Sequence, residues 1–334
     1  MKILILTFFL LFSLITEVKS QITEIEKYQA VINKAELAYI DGNKTHALHL
    51  YYDLLQSSKG NFCKDIFNAL IVSAELNEKD KFFEILQLLL VKGIPNDLLS
   101  ETTEFEKYKT DRRWQEFLAQ NSKYKCPNPL LKSKIDSLEI SDQYFRKKEG
   151  SYKIYGDTIN KIDSLNILFL FSLVETNNFP SEDEIGVKNF SGRQGFDIVF
   201  HHYTQSTSLQ KNKPKITPII VNLVRQGKIL PNRACLWLEM QNGEFTAGVF
   251  DIINFSINGK RTNYYFPNYT YQQKLLIDEY RKWIYAEPIE DYYKKIIFKI
   301  KNPNNKMIFD IQLNTFEVDE ETFNQLTKNM IELK

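Results

Sequence analysis

YQAVINKAELAYIDGNKTHALHLYYDLL, residues 28–55, decides the class of fold. Tyr28, Val31, Ile32, Ala35, Ala38 and Tyr39 recur at three- and four-residue steps, the spacing that puts side chains on one face of a helix. Asp41-Gly42-Asn43 breaks the run with residues that tolerate a positive φ, so the chain turns there. A second helix then carries Ala47, Leu50, Tyr51, Leu54 and Leu55. Working outward, Phe62, Ile66, Phe67, Leu70, Ile71 and Ala74 repeat the first helix, Asn77–Asp80 repeat the turn, and Phe82, Phe83, Leu86, Leu89 and Leu90 repeat the second helix.

Ala38, Leu50 and Leu54 recur as Ala74, Leu86 and Leu90, an offset of 36 residues. Together with the small residues Ala35 and Ala47 beside Tyr51, this resembles the tetratricopeptide type of helical hairpin, whose period is about 34 residues. Two units cannot build a long solenoid, because about three are needed to bury a continuous core. A helix over Phe105–Phe117 with Trp114 is expected to cap the pair. The resemblance implies a protein or peptide partner bound through residues 21–120.

The stretch NSKYKCPNP, Asn121–Pro129, is polar and carries two prolines that disfavour helix, so residues 121–129 read as a linker. Leu130–Lys148 and Asp157–Thr176 read as long helices, with further helices around Gly195–Tyr203 and Ile216–Gln226. Near residue 245 the pattern changes. Val249–Ile257 and Arg261–Phe266 are β-rich and are joined by Asn258-Gly259, a strong two-residue hairpin signal. Helix is expected again over Tyr271–Tyr285. Lys294–Ile300 and Met307–Leu313 are expected to pair as strands, and a last helix to run over Glu320–Ile331. The expected fold is mostly α: N-terminal repeat-like hairpins at 21–120, then an α-rich α+β domain at 130–334 with a β-hairpin near 249–266.

The first 20 residues read as a signal peptide: Lys2, an apolar run from Ile3 to Ile15, and small residues Val18 and Ser20 before Gln21. Thirteen helical residues reach only about 20 Å, short of a ~30 Å hydrocarbon core, which disfavours an uncleaved anchor. Cleavage after Ser20 places the protein outside the cytoplasm, secreted or periplasmic, with membrane contact only through the leader before cleavage. The chain has 334 residues with 43 Lys+Arg against 42 Asp+Glu. Losing Lys2, Lys19 and Glu17 leaves 41 of each, a balance that argues against nucleic acid as a partner. Cys63, Cys126 and Cys235 permit one intramolecular disulfide at most and match no zinc spacing. Nothing in the sequence asks for a metal or a cofactor.

Residues 142–202 hold the most suggestive polar set. Asp142 and Arg146, four apart, share a helix face with Gln143 beside them. Asp163 and Asn166 face one way from an otherwise apolar helix, and His201-His202 follow Ile198, Val199 and Phe200. Convergence of Asp142, Arg146, Asp163 and His202 would give either a polar-ligand site or a general base oriented by a carboxylate. The competing structural reading is a helix-face ion pair worth a few tenths of a kcal/mol. No GxSxG, HExxH or paired CxxC occurs, and His46 with His49 has no cysteine or acidic partner that would complete a metal site. Tyr264, Tyr265, Phe266, Tyr269 and Tyr271 read as cross-strand packing before a ligand platform.

Asp142-Gln143-x-x-Arg146, Asp163-x-x-Asn166, Phe179-Pro180-Ser181…Ile185-Gly186 and His202 resemble an exported bacterial domain family of unknown function, as do Ile277–Arg281 and Ile289–Tyr293. The resemblance covers about residues 130–297. It departs at His201, where Gln is expected, and after Trp237. It implies a domain boundary and adds Arg281 to the candidate site, and it supplies no reaction. The expected function is an exported protein- or ligand-binding module of the cell envelope; the alternative is an enzyme using Asp142, Arg146, Asp163 and His202.

Overall fold

The computed structural model describes residues 24–207, 216–242 and 247–333; the leader at 1–20 lies outside them. Helix α1 (24–40) and α2 (Lys44–Ser57) form the first hairpin. Gly42 turns it at φ 83°, and the Asn43 side chain caps α2 by accepting the His46 amide at 3.2 Å. Helices α3 (Cys63–Glu75) and α4 (Lys79–Gln87) form the second, turned at Asn77 with φ 59°. A 3₁₀ turn (Leu88–Val91), α5 (Asn96–Glu101), another 3₁₀ turn (Thr103–Tyr108) and α6 (Arg112–Asn121) complete the N-terminal half. The single helix expected over Phe105–Phe117 is therefore two pieces, because Asp111 caps a new helix by accepting the Arg113 amide.

Every residue of α3 except Glu75 is buried. A helix buried all round needs cover on every side. Here α1, α2, α4 and the two 3₁₀ turns supply part of the cover and the C-terminal half supplies the rest. Asn68 brackets the Ile308 backbone, donating to its carbonyl at 2.9 Å and accepting its amide at 2.8 Å. Phe190 stacks on Phe67 at 4.0 Å between centroids. The inner face of the hairpins thus holds the chain's own 307–309 segment.

Charge also crosses between the halves. Glu36 accepts from Lys64 at 2.8 Å and from Lys295 at 2.6 Å, and Lys295 reaches Glu287 at 3.1 Å. Lys92 meets Glu182 and Asp183, while the Cys63 amide donates to Glu182 at 2.7 Å. Such buried ions persist only because each has partners.

The C-terminal half is built on α7 (Pro129–Arg146), α8 (Ser151–Glu175) and α10 (Gly195–Thr207), with the short α9 (Glu182–Ile185), α11 (Thr217–Arg225) and α12 (Pro231–Asn242) around them. Among the described residues the sheet has the order β3-β1-β2-β4: β1 (Ile253–Ile257), β2 (Lys260–Pro267), β3 (Asn314–Val318) and β4 (Met330–Leu333). Asn258 and Gly259, at φ 51° and 74°, make the expected two-residue turn between β1 and β2. Helices α13 (Tyr271–Trp283), α14 (Ile289–Lys301) and α15 (Glu320–Thr327) complete the chain.

Two strand expectations fail. Lys294–Ile300 lies inside α14, whose buried Ile289, Tyr292, Tyr293 and Ile296 follow the helical period despite the β-branched run. Met307–Leu313 is extended without a ladder; its backbone is held by Asn68 and by the Tyr292 hydroxyl, which accepts the Gln312 amide at 3.0 Å. The next residues instead make β3, parallel to β1 from Ile253↔Asn314 to Ile257↔Val318. The last helix stops at Thr327, and Met330–Leu333 pair antiparallel with β2. Cys63, Cys126 and Cys235 are free thiols. No described helix is long and apolar enough to cross a membrane.

Candidate functional site

Helix α10 meets α7 closely because one residue has no side chain. A Cβ on Gly195 would lie 1.9 Å from the Ile135 carbonyl of α7, so only glycine lets α10 start against α7. His202 lies seven residues further along α10, two turns and about 10 Å from that contact. There its Nδ1 sits 2.6 Å from each carboxylate oxygen of Asp142. A carboxylate only accepts, so Nδ1 carries a proton and donates it to Asp142. That leaves Nε2 as the ring's other polar atom.

Arg146, one turn after Asp142 on α7, closes the set. Its Nη1 donates to Asp142 Oδ2 at 2.6 Å, and its Nη2 donates to both oxygens of Asp163 at 2.8 and 2.7 Å. The Tyr152 hydroxyl accepts from the same Nη2 at 3.0 Å. Side-chain exposure is 1% for Asp142, 9% for Arg146, 12% for Asp163 and 15% for His202, so these bonds work in a poorly hydrated place. Burial disfavours the Arg146 charge, but Asp163 and Asp142 outweigh it and hold the guanidinium above its usual value. Gln143 donates to Asp142 Oδ1 at 3.2 Å. Asn166 lies beside the set, exchanging 3.3 and 3.4 Å contacts with Ser141.

Arg281 is elsewhere. It is fully buried on α13, donating to the Ala247 carbonyl and Asn232 Oδ1 at 2.8 Å each and to the Glu287 carbonyl, with its guanidinium 4.6 Å from the Tyr292 ring centre. Its role is to satisfy buried acceptors, and nothing links it to Asp142.

Beside the network lies a cavity of about 490 Å³ between α7, α10 and α12. Gln143, Lys147, Arg193, His201, Arg233 and Trp237 line it, whereas Asp142, Arg146, Asp163 and His202 stand behind its wall. His201 and His202 rings are 5.5 Å apart. Burial, with His202 adding to it, lowers the His201 pKa and favours its neutral ring. Arg233 is committed to Asp197 at 3.5 Å and Asp310 at 3.3 Å, and Lys188 to Asp136 and Glu139. Lys147 and Arg193 are exposed and have no ion-pair partner within 4 Å among the described residues, although Glu139 and Asp197 also line the cavity and the Arg193 charge acts on Asp197 from beyond that distance.

A larger cavity, about 530 Å³, opens where the hairpins meet α9, lined by Tyr28, Lys92 and Arg225. Its buried cation Lys92 is already neutralised by Glu182 and Asp183. The thiols offer no nucleophile in the core: burial pushes Cys235 up to about 12 and Cys63 well above its ordinary value. No group of three or more metal-ligating side chains occurs among the described residues. Spacing gives no sign of Lys147, Arg193 and Arg233; Gly192-x-x-Gly195 flanks Arg193 but lacks the GK[ST] sequence and the preceding strand of a phosphate loop. The chain matches no protein-family model, no curated protein and no solved structure.

Proposed function

We propose that this chain is an exported binding module that holds a small anionic ligand in the 490 Å³ cavity, with Lys147 and Arg193 as charge partners and Gln143 and His201 as orienting groups. The observation that carries the reading is the pair of exposed cations without an ion-pair contact in the lining of a cavity whose other charges are paired with one another. The volume falls in the range of small-molecule sites, about 300–1,000 Å³. A neutral His201 offers hydrogen bonds there without adding repulsion or charge. The buried Asp142–Arg146–Asp163–His202 network keeps the wall rigid by tying α7, α8 and α10 together.

Trp237 lies in the cavity wall and reports on it. Titrating the protein with citrate and, separately, inorganic phosphate should change tryptophan emission saturably, and Lys147→Ala/Arg193→Ala should weaken citrate binding at least about tenfold. Equal affinity in the double variant would remove the cavity from the account. Export itself is tested by N-terminal sequencing of the protein recovered outside the cytoplasm, with Gln21 as the expected first residue. A protein partner, if the hairpins have one, must meet their outer surface, since the inner face is filled. Cross-linking of the full chain in an envelope fraction should then map to α1 and α2 side chains that point away from α3.

One observation favours an enzyme: a buried carboxylate fixing the Nδ1 side of an imidazole is how a general base is oriented. That reading requires Nε2 of His202 to reach the cavity past His201, from behind the wall that His201 forms. Modification of His202 by diethyl pyrocarbonate, slowed by citrate, is the expected result; a rate indifferent to citrate would rule the reading out.

A further inference from the structure

The tip of the α7–α8 hairpin carries a feature that neither the network nor the cavity uses. Tyr144 and Phe145 end α7, the chain turns at Gly150 with φ 80°, and Tyr155 follows where α8 leaves helical geometry at φ −111°, ψ 15°. The Tyr144 and Phe145 rings lie 4.9 Å apart at 88°, and the Phe145 and Tyr155 rings 5.2 Å apart at 45°. Three faces at steep angles enclose one volume. The Lys148 ammonium occupies it, 4.2 Å from the Tyr144 ring centre, 4.9 Å from Phe145 and 5.6 Å from Tyr155. No carboxylate lies within ion-pair distance of Lys148 among the described residues.

Three ring faces around a cation without a counter-ion form an aromatic cage, the arrangement that recognises quaternary ammonium. A lysine ammonium is strongly hydrated and gives up that water on entry. A quaternary ammonium has no N–H to hydrate and lays its methyl groups on the rings. The Lys148 stem is long and has only the cage to hold its head, so it can vacate the volume without unfolding either helix. We propose that Tyr144, Phe145 and Tyr155 form a binding site for a quaternary ammonium group, for which Lys148 is the built-in stand-in. The site is independent of the anion reading of the cavity. Free choline and a phosphatidylcholine headgroup share the chemistry.

The test uses tetramethylammonium and the full chain. Lys148→Ala, folded by circular dichroism, should bind tetramethylammonium at least about fivefold more tightly than the parent, because the tethered competitor is gone. Adding Tyr144→Ala or Phe145→Ala to that variant should weaken binding about fivefold each, the size of one cation–π contact. Neopentyl alcohol, the neutral shape mimic, should not bind. Retention on phosphatidylcholine vesicles that free choline displaces would assign the lipid source, and choline binding without retention the free one. A folded Lys148→Ala variant that does not bind tetramethylammonium, or that binds neopentyl alcohol equally well, overturns the proposal.

Discussion

Truncating Asp142 tests whether the three-helix network is a desolvated unit or a surface ornament. Its carboxylate takes a 2.6 Å bond from Arg146 and 2.6 Å contacts from His202 Nδ1, and the residue is 2% exposed. Asp142→Ala removes both at once. Orphaning a buried charge completely costs about 3–5 kcal/mol, but Arg146 keeps its two-pronged contact with Asp163, so that range is an upper bound. His202 loses the acceptor of its ring N–H, worth about 1–3 kcal/mol for a buried donor. The expected loss is about 3 kcal/mol, and Asp142→Asn, which keeps the shape and one acceptor oxygen, should cost about half of that. Urea unfolding followed by circular dichroism measures both, provided the slope with denaturant is unchanged. His202→Ala should cost less in the Asp142→Ala background than alone, by more than about 0.5 kcal/mol. An Asp142→Ala loss under about 1 kcal/mol, or strict additivity with His202→Ala, would refute the reasoning.

Arg281→Met should lower stability by about 3 kcal/mol or more, since it strands the Ala247 carbonyl and Asn232 at once; the urea midpoint reads it. Gly195→Ala must push α10 off the Ile135 carbonyl, an overpacking cost of about 2 kcal/mol or more that should also perturb the His202 ring signals in NMR. Glu239 gives a pH prediction. Burial raises its pKa from 4.5 to about 7, the Asp251 charge adds to that, and the Val249 amide opposes it. A raised acid contributes stability that is complete below its unfolded value and is lost as pH climbs through the folded one. Stability of the parent should therefore fall between about pH 4.5 and 7, by on the order of 3 kcal/mol, and Glu239→Gln should lack that fall. Parallel pH profiles for the two proteins would contradict it.

The hairpins were legible because a 3.6-residue period and a Gly-Asn turn need no distant partner to be recognised. What completes the cover of α3 was not, since neighbouring helices cover only part of it and the rest comes from around Ile308, 240 positions from Asn68. The sheet shows the same limit. Asn258-Gly259 announces its own turn, whereas β3 and β4 are strands only because β1 and β2 offer open edges, and nothing in Asn314–Val318 or Met330–Leu333 names those edges. Met307–Leu313 has the composition of a strand and is extended, yet side chains rather than a neighbouring strand hold it. At the site, Asp142 and Arg146 were visible as a one-turn pair. Bringing His202 to them depends on Gly195 against Ile135, and bringing Asp163 depends on how α8 packs on α7, contacts that spacing cannot reveal.

Crystals of the full chain grown with citrate probe the cavity itself. Citrate density is expected between α7, α10 and α12, within hydrogen-bonding distance of Lys147 or Arg193 and of His201 or Gln143. An empty cavity at a citrate concentration that saturates the tryptophan signal, or citrate bound only elsewhere, would contradict it.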